Sequence, residues 1–164
     1  MRLTFGDWQF DVDIAATMAY SAAEASEHCD CAYCRNYYAA AESQLRFFLV
    51  SFGVDIEAPD ELMPYDFPGE MQYECYYAVA GKILKEGKEP ICAGEATILP
   101  ELDVNLHINT GCEAPCFFLH VSVTLPWILE EPMEEVVSPA NEPSFLKKMW
   151  NRLLSKSRET TLKS

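Results

Sequence analysis

An α+β fold built on an antiparallel sheet is what this sequence predicts, and two textures carry the prediction. Residues 71–79, 102–109 and 117–125 alternate apolar and polar side chains with the period of two that belongs to a half-buried strand. Residues 31–52 instead repeat apolar side chains in steps of three and four, the period of a helix with one buried face. At 164 residues and 49% hydrophobic, the chain can bury one core but is short for two. Residues 1–125 therefore read as a single α+β domain, 126–143 as a Pro/Glu-rich linker, and 144–164 as a basic amphipathic helix with a polar tail.

The elements follow in order. Leu3-Thr4-Phe5 and Trp8-Gln9-Phe10-Asp11-Val12 flank Gly6-Asp7, which predicts two short strands joined by a tight turn. Alanine-rich residues 14–24 predict a short helix with Asp13 as N-cap. The central helix is expected over about 31–52, with Asp30 as N-cap and Gly53 just past its end. Its stripe is Cys31, Cys34, Tyr38, Ala41, Leu45, Phe48 and Phe52, and Glu42 and Arg46 stand at the spacing of a solvated pair on the other side. Pro59, Pro64 and Pro68 break residues 54–69 into an ordered connection with at most one helical turn near Pro59-Leu62. Strands at 71–79, 91–99, 102–109 and 117–125 then form a meander, with a turn at Glu86-Gly87-Lys88. Its apolar face is covered by helices or, in a two-sheet sandwich, by the N-terminal strands.

Charge and cysteine content narrow the function. The net charge of −14 divides unevenly, +5 on residues 144–164 and −19 on the remainder. An acidic body repels phosphate, which excludes nucleic acid as a partner of the domain. Residues 1–25 hold no apolar run of signal-peptide length, and no window approaches the apolar length of a membrane span. The expected setting is the cytoplasm. Seven cysteines are then core residues, metal ligands or redox groups rather than a disulfide framework.

Three of those cysteines crowd into His28-Cys29-Asp30-Cys31-Ala32-Tyr33-Cys34. Thiolate and imidazole are the ligands zinc takes, four at a time, so His28, Cys29, Cys31 and Cys34 form a candidate zinc site. Because all four lie in one run, a site combining two or three of the thiols with a distal Cys112, Cys116 or histidine is the better-anchored version. Cys31-x-x-Cys34 at a helix start also has the spacing of a redox pair, whose first thiol the unpaired amides would acidify. Asp30 opposes that, and no strand–motif–helix unit surrounds it. The third reading makes Cys31 and Cys34 the beginning of the buried stripe.

The run His-Cys-x-Cys-x-Tyr-Cys-Arg-Asn, together with Pro-Asp-Glu-Leu-Met-Pro and Glu-Glu-Val-Val-Ser-Pro-Ala-Asn-Glu-Pro, resembles a group of small bacterial proteins without an established function. The resemblance spans most of the chain and implies a bacterial cytoplasmic setting. It implies no activity for His28, Cys29, Cys31, Cys34, Arg35 or Asn36.

Elsewhere the signals are weaker. His107 and His120 fall on the polar face of successive strands near Asp103 and Asn105, where a metal or acid–base pair competes with an ordinary solvated face. Cys112 and Cys116 read as a loop pair, and the tyrosines as core and rim. No phosphate loop, nucleophile elbow or His-x-x-x-His is present. The C-terminal helix of 144–155 presents Phe145, Leu146, Met149, Trp150, Leu153 and Leu154 on one side. It is expected to dock on the acidic body or on a second copy rather than on a membrane. The sequence therefore predicts a non-catalytic binding or self-associating domain, with a zinc or thiol-redox protein as the alternative.

Overall fold

Gly6, at a φ of 55°, takes the left-handed turn that other residues resist, and the alternating residues on either side pair across it. In the computed structural model, which describes residues 1–67, 70–102, 110–113 and 115–133, this hairpin is β1 (Arg2–Phe5) and β2 (Trp8–Val12), with Phe5 opposite Trp8. Trp8, Phe10 and Val12 are buried and the residues between them exposed, as the alternation predicts. Asp13 then caps α1 (Ile14–Ala25), its carboxylate accepting from the Ala16 amide at 3.0 Å. The buried residues of α1 are not its alanines but Thr17 and Ser21. Their hydroxyls accept from the Ala80 and Asp55 amides, so this short helix is fixed to the body through polar contacts.

The predicted helix over 31–52 is two helices, α2 (Ala32–Ala40) and α3 (Ser43–Ser51). Ala41 and Glu42 are extended, with ψ of 131° and 155°, although neither residue breaks a helix by propensity. Tertiary contacts decide the matter. Arg46 turns back to donate to the Tyr38 and Ala41 carbonyls that the break releases, and the Glu42 carboxylate reaches the Glu95 amide at 3.4 Å. The expected Glu42–Arg46 pairing is thus replaced by contacts that hold the break. The far boundary is as predicted: Gly53, at φ 83°, donates to the Val50 carbonyl while Val54 donates to Leu49, which is the Schellman arrangement.

The seven strands among the described residues pair antiparallel in the order β1-β2-β4-β7-β6-β5, with β3 also on β4. β3 is Glu61–Phe67, β4 Glu70–Lys85, β5 Ile91–Ala93, β6 Ala96–Glu101 and β7 Cys116–Pro126. Two expectations are corrected. Residues 61–67 are a strand rather than an irregular connection or helical turn, and Pro64 is accommodated where, among the described residues, β3 pairs β4 alone and so lies at an edge. Residues 91–99 do not return beside β4. They split at Gly94, φ 64°, into the hairpin β5–β6, while β4 pairs β7 from Glu70↔Pro126 to Ala80↔Cys116. Beyond that, β4 passes close to β2 at Gly81, where a side chain would collide with the Asp11 carbonyl, and pairs β2 through Lys85. Alternation identifies a strand, but it does not say which strand becomes its neighbour.

Tyr73, Cys75, Tyr77 and Val79 of β4 meet α2, α3 and β2 in the main core, where Phe10, Phe52 and Phe117 pack ring to ring. The other face of β4 and β7 is not the solvated face expected. Tyr76, Ala78 and Phe118 form a second apolar cluster with Tyr20, Met63 and Cys112, and Glu74, His120 and Ser122 are buried with them. No helix among the described residues is long and apolar enough to cross a membrane. The predicted strand at 102–109 with His107, and the amphipathic helix at 144–155, fall wholly or almost wholly outside the described residues.

Candidate metal centre

The thiol segment is shaped by the end of one helix and the start of the next. After α1, His28 donates from Nδ1 to the Ala25 carbonyl (2.5 Å), and its ring lies edge-on to Tyr38. Arg35 reaches back from α2 to the Asp30 carbonyl at 2.5 Å. Between these ties, Cys31 is extended (φ −73°, ψ 162°) and occupies the N-cap position expected of Asp30. The loop therefore folds over the first turn of α2. It gathers the sulfurs of Cys29, Cys31 and Cys34 so that all lie within 4.8 Å of one another. Sulfurs sharing one tetrahedral ion at a bond length of about 2.3 Å sit roughly 3.8 Å apart, so small side-chain rotations suffice to close the cluster.

The three thiols differ in setting. Cys29 and Cys31 are exposed, while Cys34 is buried. Partial burial pushes the Cys31 thiol up, but the amides of Cys34 and Tyr33 and the neighbouring thiols of Cys29 and Cys34 outweigh it and lower its pKa. Burial raises the Cys34 pKa, and its hydrogen bond to Cys31 adds to the rise. An exposed thiol with a lowered pKa thus lies close to a buried one whose pKa is raised.

Of the residues singled out from sequence, the three cysteines come together and His28 does not, since neither of its ring nitrogens joins the sulfur cluster. Cys112 and Cys116 do not supply the distal ligand. Cys112 packs in the second cluster with Tyr76 and Phe118, and its pKa is pushed up to about 11 by burial and by neighbouring Cys116. The stripe reading holds for Cys34 but not for Cys31, which lies outside the helix. Cys75 is enclosed in the core beside Tyr37, and Cys92 is exposed on β5.

Two constellations had no clear sequence signal. Arg35 pairs with Glu131, Trp127 donates to the Glu131 carbonyl at 2.8 Å, and Tyr33 meets the Trp127 ring. The described start of the predicted linker is thereby held against α2. Across the sheet, His120 donates to Glu74 (2.8 Å) and Glu101 (3.3 Å), while Ser122 and Gln72 also donate to Glu74. Tyr76 stacks on the imidazole. Ser122 donates to the carboxylate rather than to the ring, so this is not a nucleophile–base pair. Both histidine nitrogens are engaged by carboxylates, as in a structural ion pair.

No known protein family, curated protein or solved structure matches this chain.

Proposed function

We propose that this protein is a non-catalytic binding domain that holds a thiophilic metal ion through Cys29, Cys31 and Cys34. The observation that carries the reading is the convergence of three sulfurs on one point at the surface. Soft thiolates select ions of the zinc, cadmium and copper(I) kind over hard cations. Asp30, between Cys29 and Cys31 in the chain, adds a negative charge near the cluster that its 3.8 Å pairing with Arg35 partly offsets, and a reducing, cytoplasmic setting accords with seven free cysteines. Cobalt(II) titration of the reduced full chain is expected to give one ion per chain, with sulfur-to-cobalt charge-transfer absorption lost in Cys31→Ser and kept in Cys92→Ser. Absence of that band in the wild-type chain overturns the proposal.

A separate observation favours a second reading, dithiol exchange, because exposed Cys31 stands over buried Cys34. Cys31 would attack a partner disulfide and Cys34 would resolve the mixed disulfide. The antiparallel sheet and preceding helix lack the βαβ setting in which such pairs are usually built. Rapid loss of both thiols under a mild disulfide oxidant, without metal uptake, selects this reading over the first. Self-association through residues 144–155 belongs to the same proposal and is tested by sedimentation of a chain lacking 144–164, which should be smaller than the full assembly.

A further inference from the structure

The sulfur cluster contains three ligands, and among the described residues no histidine or carboxylate joins it. Zinc in structural sites takes four, so a zinc ion here would need a fourth ligand that the described residues do not supply. Charge points the same way. Three thiolates around a divalent ion leave a net negative charge partly over the buried Cys34, where an unbalanced charge is costly, and the neighbouring Arg35 guanidinium is already paired with Asp30 and Glu131. A trivalent centre with three sulfurs is neutral and needs no fourth ligand, because a lone pair occupies the remaining position.

We propose that Cys29, Cys31 and Cys34 form a capture site for trivalent arsenic or its antimony equivalent, taken up as the neutral oxyacid. The inference rests on the metal-binding reading above and narrows it. In the capture step, three S–H bonds and three As–O bonds break, three As–S bonds form, and three water molecules leave. Arsenic remains trivalent and no electrons are exchanged. Exposed Cys29 and Cys31 offer the first points of attachment, and Cys34 closes the trigonal pyramid from beneath. The acidic body, which repels anions, does not oppose a neutral reactant.

Native mass spectrometry of the full chain tests this, after reduction with a phosphine that does not chelate arsenic. Arsenite and zinc are added in parallel samples. The expected result is one arsenic per wild-type chain, with a mass gain of one arsenic less three hydrogens. Capture should be lost in Cys29→Ser and Cys31→Ser, whose altered positions are exposed and spare the core, and retained in Cys92→Ser. Zinc uptake without arsenic overturns the inference but leaves the metal-binding reading standing. Uptake of neither overturns both. Equal arsenic capture by wild type and Cys29→Ser assigns it to other thiols and also overturns the inference.

Discussion

Asn36 is fully buried, and both ends of its amide are used. It donates to the Tyr73 hydroxyl at 3.0 Å and the Pro126 carbonyl at 3.1 Å, and accepts from the Ile128 amide at 2.8 Å. One side chain thereby ties α2 to β4 and to the chain leaving β7. Asn36→Ala leaves these groups without their partner inside the fold, and chemical denaturation should show a loss on the order of 2–3 kcal/mol. The residue was visible in sequence only as part of the Cys-Arg-Asn run, because an asparagine's partners in a fold leave no local signature. His120 was noticed, but its burial was not. A ring on the polar side of an alternating strand is expected in water, and here Tyr76 and Phe118 instead enclose that face. Burial works against the charged ring, yet the hydrogen bonds to Glu101 and Glu74 outweigh it and raise the His120 pKa. Its contribution to stability is therefore fully present below the ordinary histidine value of about 6.5 and is lost as pH rises through the higher folded value. The stability difference between wild type and His120→Gln should shrink over that window. A difference that stays flat or grows with pH contradicts the ion pair.

At the scale of elements, the hydrophobic period located α2 and α3 correctly in the chain and was silent about the break between them. Cys34, Tyr38, Leu45, Phe48 and Phe52 are all buried, so the stripe survives a two-residue interruption. Ala41 and Glu42 have no propensity for an extended backbone, and what extends them lies elsewhere, in the Arg46 contacts and the Gly94-Glu95 turn. A side chain at Gly94 would run into the Glu42 carboxylate, which shows how closely the hairpin approaches the break. The helix end was legible because Gly53 is a local signal. Gly53→Ala places a methyl group at a positive φ and within 2.9 Å of the Ile14 carbonyl. It should lower stability by about 1–2 kcal/mol from backbone strain alone, measured as a shift of the denaturation midpoint with an unchanged slope. Among strands, β2, β4 and β7 were legible from alternation. β3 was hidden by Pro64, whose missing donor only an edge position tolerates.

For the whole molecule, the strand order was the least legible feature, because pairing β4 with β7 joins residues as far apart in the chain as Glu70 and Pro126 that carry no mutual mark in the sequence. That pairing creates two faces with different contents. One packs against α2, α3 and the base of the thiol cluster, and the other encloses the Glu74–His120–Glu101 network. The chemistry of the first was partly readable, since the spacing of Cys29, Cys31 and Cys34 suggested a common site; the exclusion of His28 was not, because it depends on where a loop turns. In the proposed metal site these three thiols act as one unit. Alkylation of the native, reduced full chain with and without one equivalent of cadmium(II), with each modified cysteine located by mass spectrometry, tests it most directly. Without cadmium, Cys29 and Cys31 should label well before Cys34 and Cys75; with it, Cys29, Cys31 and Cys34 should be protected together while Cys92 labels as before. Protection of only one of the three, or protection of Cys92 to the same degree, contradicts the account.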